Sequence, residues 1–216
     1  MGEVLHKMLE RNARKDSRSL AVRFPAEDIS LNWDELNRRA NSLAHFLREE
    51  KQLKKGSRVA VFIPNRPEFV IGVFAVWKAG GVVIPINVKF TKAEVEHILQ
   101  DSSASLVLAD DALSGRIEGL AAGIVMTGEW SNIYSQFTEN NLELEISTLD
   151  LAELLYTSGT TGKPKGVMLT HNAVHSVASM FSYEMDIRFR DKVLHLMPLT
   201  HSAPLNLLLV LSLIHI

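Results

Sequence analysis

"RVAVFIPNRPEFVIGVFAVWKAGGVVIPIN", residues 58–87, decides the fold. Its first seven residues, 58–64, are apolar and rich in β-branched side chains, and proline ends the run, as expected of a buried strand. Residues 66–80 are long and apolar, with Pro67 near the start and Gly80 at the end, the punctuation of a helix. "GVVIPIN" (81–87) reads as a second buried strand. Both strands lack the apolar/polar alternation of a half-exposed sheet. Two such strands joined by a helix therefore predict parallel pairing with a layer on each face.

The pattern extends in both directions. "TKAEVEHILQDS" (91–102) is a capped amphipathic helix, "SLVLAD" (105–110) a third strand, and "GIVMT" (123–127) a fourth after another helical piece. Upstream, an opening helix precedes a short extended pair at 20–24 and 29–33. Asn32 and Glu35 have the spacing of a capping box. Leu36, Ala40, Leu43, Ala44 and Leu47 then repeat at helical spacing on one face. Residues 128–151 are polar, acidic and weakly patterned, which predicts a surface connection. "AELLYT" (152–157) is one more strand, and residues 171–185 are a helix.

The 216 residues are 46% hydrophobic and 22% charged, enough for one large domain with a sizeable core. A net charge of -2 provides no global basic field, so nucleic acid is not an expected partner. The absence of cysteine excludes disulfides and thiolate metal sites and fits a reducing compartment such as the cytoplasm. The amino-terminal stretch has no apolar run of signal-peptide length. Gly2 is not followed by Ser or Thr at position 6, where His6 stands, as myristoylation requires. The longest apolar run, "LNLLLVLSLI" (205–214), is too short to span a bilayer, so no transmembrane segment is expected.

Between the last strand and the last helix lies "YTSGTTGKPKG" (156–166), with three glycines, two lysines and a series of hydroxyls. Glycine lets a backbone approach an anion closely, hydroxyls donate hydrogen bonds, and Thr or Ser oxygen is a normal Mg²⁺ ligand. A lysine ammonium contributes roughly 1.5–3 kcal/mol per charge-assisted hydrogen bond. At the carboxyl end of a strand in an open sheet, such a segment suits a polyphosphate. It is not a Walker loop, because Pro164 follows Gly162-Lys163 and Thr157 stands where that motif requires glycine. A flexible linker would not carry "KPKG" between two strongly apolar elements.

This string resembles the signature loop of the adenylate-forming (AMP-binding) enzymes, which include acyl-CoA synthetases, aryl-CoA ligases and peptide synthetase adenylation domains. "NWDELNRRANSLA" (32–44), with Asn32 where the family usually has Thr, "VWKAGGVVIPINVKFTKAEVEHILQDS" (76–102) and "MPLTHSAP" (197–204) are similar to further conserved blocks. The resemblance covers nearly all of the first 204 residues and looks nearest to medium- and long-chain fatty acyl-CoA synthetases. It implies an α/β fold, a largely parallel sheet flanked by helices, as an incomplete part of the family's large amino-terminal domain. It also implies a two-step ligase. A carboxylate attacks the α-phosphorus of ATP, pyrophosphate leaves, and the thiol of coenzyme A then displaces AMP from the acyl-adenylate. On the matching positions, Thr157, Ser158, Gly159, Thr160, Thr161, Gly162, Lys163, Lys165 and Gly166 would hold the nucleotide. Thr161 would meet Mg²⁺, and His201 would lie beside the adenylate and acyl carboxylate.

The family's later adenine and ribose segments and its carboxyl-terminal domain are not found in the 216 residues. The expectation is a partial AMP-binding domain over 1–204 followed by an apolar tail, 205–216, foreign to the fold. The alternative to a ligase is a non-catalytic nucleotide-binding module, and an open strand edge at 152–157 and 193–196 is expected to promote association. His171 and His175, four apart on a helix, lack the glutamate of H-E-x-x-H and are read as helix-start and packing residues, with Trp77 and Phe74 as core.

Overall fold

A computed structural model describes residues 3–120, 123–157, 164–188, 191–201, 205, 206 and 209. Helix α1 (Leu5–Lys15) leads into an antiparallel pair, β1 (Leu20–Phe24) and β2 (Ile29–Asn32), and then α2 (Trp33–Glu49). The main sheet begins with β3 (Arg58–Phe62), α3 (Pro67–Lys78), β4 (Val82–Pro85), α4 (Lys92–Ser102), β5 (Leu106–Ala109) and β6 (Gly123–Met126). After α5 (Trp130–Gln136) it continues through β7 (Leu151–Thr157) and β8 (Lys165–Thr170) to α6 (His171–Glu184). Among the described residues the sheet has six strands in the order β6-β5-β3-β4-β7-β8, all pairs parallel except β7–β8.

Side-chain alternation divides the interior into two layers. Val59, Val61, Val83, Leu106 and Leu108 face a large core that includes α1, α2 and α3. Ala60, Phe62, Val82, Ile84 and Val107 face Val95, Ile98 and Leu99 of α4. Strands apolar at every position are thus accounted for, since each face of the sheet has its own helix layer. The predicted capping box forms, with Asn32 and Glu35 exchanging bonds at the start of α2, and the expected cap of α4 is a second box, of Thr91 and Glu94. α3 ends at Lys78 with Ala79 as its cap, and Gly80 follows at φ +79°, the left-handed conformation that glycine adopts without penalty.

Three expectations are corrected. Residues 128–151 are not merely a surface connection, for α5 buries Trp130 and Ile133 against the core. The indole tip reaches α3 at Gly72, where a Cβ would stand 3.2 Å from Trp130 Cη2 and 3.3 Å from Leu108 Cδ1. Two buried side chains on a seven-residue helix are too few to show a period. Beyond α5 the chain is held along α2, where Arg38 pairs with Glu139 and the Asn41 amide donates to the Glu139 carbonyl at 2.6 Å.

The second correction concerns the strand-to-helix reading of residues 156–166. Lys165 and Gly166 open a strand, β8, that folds back antiparallel on β7 with Thr157 opposite Lys165 and Leu151 opposite Thr170. α6 therefore starts at the far end of the hairpin, where Thr170 caps it and the His171 N–H donates to the Asp150 carbonyl. Residues 193–196, expected in the sheet, are irregular instead.

Candidate functional site

The carboxyl ends of β3, β4, β5 and β7 share one edge of the sheet, and the site is assembled there. β7 delivers Thr157 to that edge and β8 leaves it at Lys165, so the two Cα atoms are cross-strand partners. Directly opposed residues of an antiparallel pair project from the same face. Tyr156 packs with the α4-side cluster, so alternation sends Thr157 and Lys165 to the other face. Both are exposed, and Lys165 has no carboxylate partner among the described residues. An uncommitted ammonium beside a hydroxyl at a strand end can take an anion without first breaking an ion pair. Ser158, Gly159, Thr160, Thr161, Gly162 and Lys163 lie outside the described residues.

Gly166 has a role visible in the backbone geometry. It is extended, opposite Tyr156, and an added Cβ would stand 3.1 Å from Tyr156 Cζ and 3.1 Å from Leu154 Cδ1. The tyrosine ring lies across its glycine partner, so the residue is small because an aromatic covers it.

His201 is brought to the same edge by residues that carried no signal in the sequence. Asn65, just beyond β3, donates from Nδ2 to the Met197 carbonyl at 2.9 Å and accepts the Leu199 N–H at 2.8 Å. Asn87, beyond β4, accepts the Lys89 N–H through Oδ1 at 2.9 Å, which turns its Nδ2 toward His201 Nε2 at 3.4 Å. An amide nitrogen donates, so Nε2 is the acceptor in that contact. β4 is the sheet neighbour of β7, so the exposed imidazole and the hairpin mouth belong to adjacent strand ends. Asparagine directly after a strand is a weak cue, and only the spatial partner gives it meaning.

Other titratable groups do not join this edge. His171 is buried, its Nδ1 accepting the Leu5 N–H at 3.4 Å and its ring 6.4 Å from that of Trp77, and burial holds its pKa down to about 4. His175 contacts Ser179 on its own helix. Both are packing residues, and no cluster of three His, Cys, Asp or Glu able to hold a metal exists among the described residues. Trp77 and Phe74 are core, with the indole N–H donating to the Ala152 carbonyl at 2.9 Å. Glu153, within β7, is fully buried with neither carboxylate oxygen hydrogen-bonded, and burial raises its pKa to about 8. At neutral pH it is a protonated acid. No helix among the described residues is long and apolar enough to cross a membrane.

Residues 9–215 match the family model described as AMP-binding enzyme. The chain belongs to the AMP-binding enzyme family. Among the AMP-binding enzymes it is 33% identical over 208 residues to the long-chain-fatty-acid–CoA ligase FadD13 of Mycobacterium tuberculosis, covering 92% of this chain and 41% of that protein. It is 34% identical over 193 residues to tyrocidine synthase 1 of Brevibacillus parabrevis, covering 89% of this chain and 17% of that protein. The inhibitor-bound amino-terminal domain of FACL13 from Mycobacterium tuberculosis matches with a TM-score of 0.93 at 29% identity, over all of this chain and 56% of that one. A fatty acyl CoA synthetase of the same organism matches at 0.90 and 28%, over 97% of this chain and 43% of that one. The chain thus spans half or less of the full-length relatives, and its fold is that of the amino-terminal domain of these AMP-binding enzymes.

Proposed function

We propose that the chain is the phosphate-gripping part of an AMP-forming acid–thiol ligase whose whole form activates a carboxylic acid, a fatty acid by preference, and passes it to coenzyme A. The observation that carries this reading is the β7–β8 hairpin. It sets Thr157 and Lys165, which has no carboxylate partner among the described residues, opposite one another at the strand end next to the one whose Asn87 contacts His201, within a chain of the AMP-binding family. Attack of a carboxylate on the α-phosphorus of ATP brings two anions together, so charge neutralisation and alignment matter more than an acid or base. Lys165 and Thr157, continued by Ser158 to Lys163, would hold the β- and γ-phosphates. His201 would orient the carboxylate near the α-phosphorus.

Mg²⁺ would arrive with ATP and lower the charge on the leaving pyrophosphate. The described residues offer no carboxylate or imidazole cluster, which fits a metal held chiefly by phosphate oxygens and water, with the Thr161 hydroxyl as its protein contact. A cytoplasmic location with ATP and coenzyme A at hand suits a chain without cysteine. The fatty-acid preference rests on the match to FadD13, whereas the match to tyrocidine synthase 1 favours an amino acid as the activated carboxylate.

Calorimetric titration of the chain with MgATP tests the phosphate role. Lys165→Ala is expected to weaken binding at least tenfold with an unchanged circular dichroism spectrum, and an unaltered affinity would refute the role. ATP–pyrophosphate exchange, run with fatty acids and with amino acids, then separates the two carboxylate classes. No exchange is expected from these 216 residues alone. MgATP binding without exchange by a longer form would favour the non-catalytic binding module.

A further inference from the structure

The mouth of the hairpin is tied on both limbs to one helix. On the β7 limb, the Tyr156 hydroxyl donates to Asp101 Oδ2 at 2.6 Å, a short charge-assisted bond. On the β8 limb, His97 Nε2 lies 3.3 Å from the Pro164 carbonyl oxygen, which only accepts, so Nε2 carries the proton. His97 and Asp101 are one turn apart on α4 and therefore share a face. The residues they hold, Tyr156 and Pro164, are the chain neighbours of Thr157 and Lys165.

Three further features agree. Asp101 sits in the last turn of α4, which holds no basic residue, and a carboxylate there is disfavoured by the helix dipole. Its contact with Tyr156 supplies a reason for its presence. Arg58 Nη1 donates to the Ser102 carbonyl at 2.6 Å, anchoring the end of that helix to β3. The Tyr156 ring lies across Gly166, and burial followed by the Asp101 contact pushes its phenol pKa upward, so the hydroxyl stays a donor.

We propose that the Tyr156–Asp101 and His97–Pro164 contacts form a clamp by which α4 fixes the separation and tilt of the two hairpin limbs. His97, Asp101 and Tyr156 are then positioning residues for Thr157 and Lys165. The purpose of the clamp rests on the phosphate reading above, whereas its existence as a mechanical tie does not. Lysine and hydroxyl donors grip a polyphosphate at full strength only when their spacing is set before it arrives.

The test measures two quantities on the 216-residue chain: amide hydrogen exchange across residues 156–166, and affinity for MgATP and for inorganic tripolyphosphate. Asp101→Ala and His97→Ala are each expected to speed exchange of that segment about tenfold, the population change for loss of one hydrogen bond of ordinary net strength. Affinity for both probes should fall several-fold while the thermal midpoint stays within the range of neutral surface changes. Asp101→Asn keeps an acceptor for the tyrosine, His97→Gln keeps a donor for the carbonyl, and both should restore exchange and affinity. Rescue of this kind separates a positioning role from simple loss of helix stability. Unchanged exchange in both alanine variants overturns the clamp, as does failure of Asn and Gln to rescue it. If the unmodified chain binds neither probe, the phosphate reading fails, and exchange still decides whether α4 holds the hairpin.

Discussion

Replacing Glu153 with glutamine removes the least comfortable titratable group in the sheet. Glu153 is fully buried with both oxygens unpartnered, and desolvation moves its pKa from 4.5 to about 8. The folded chain therefore keeps a proton that the unfolded chain releases. A raised acid pKa leaves stability intact below pH 4.5 and erodes it as pH climbs toward 8. At pH 7 the interval from the unfolded value is about 2.5 units, and at 1.36 kcal/mol per unit the loss is about 3 kcal/mol. Glutamine is as polar as the protonated acid but cannot ionise. Glu153→Gln should match the wild type near pH 4.5 and exceed it by about 3 kcal/mol at pH 7, or by about 6–12 °C in thermal midpoint for a domain of this size. Urea unfolding of both proteins at half-unit steps from pH 4.5 to 8.5 gives the difference curve. Every other titrating group cancels in that difference, so parallel curves with a constant offset would falsify the assignment.

Three further outcomes follow from the packing. In the Glu153→Gln background the acid limb should belong to His171 and His6, whose pKa values burial lowers to about 4 and about 2, so stability present above pH 6.5 is lost as pH falls below it; urea midpoints at pH 7 and 5 check this, and equal midpoints would oppose it. Gly72→Ala should destabilise by about 1 kcal/mol although alanine is the better helix former, because the new methyl meets the Trp130 ring at 3.2 Å; a gain in thermal stability would mean the indole yields freely. Val167 and Met168 on the β8 edge are 47% and 63% exposed, so the chain should self-associate and Met168→Lys should lower the associated fraction, with sedimentation velocity as the measure and a wild-type monomer as the contrary result.

Much of the architecture was legible because it depends on residues close in sequence. The capping boxes at Asn32 and Thr91 span three residues, and the helix stop at Gly80 is a local conformational requirement. The apolar runs of β3, β4 and β5 announce burial on two faces, which only a covered parallel sheet supplies. In β8, "KGVMLT" is exposed or half-exposed and has one partner strand, so no burial pattern marks it in the sequence. α5 leaves no periodic signal either, because two core side chains cannot establish a period.

Sequence alone therefore determined the layers of this protein, the family to which it belongs and the glycine-, hydroxyl- and lysine-rich composition of residues 156–166, since period, cap and motif are written in neighbouring residues. Only the tertiary structure decided that Thr157 and Lys165 face each other across a hairpin, that Asn65 holds Leu199 across 134 positions and Asn87 contacts His201 across 114, and that α4 reaches both limbs across 55 and 67. Hydrophobic patterning specifies that a side chain is buried or exposed and carries no information about its partner. Contacts between polar groups so distant along the chain come into being when the sheet has closed.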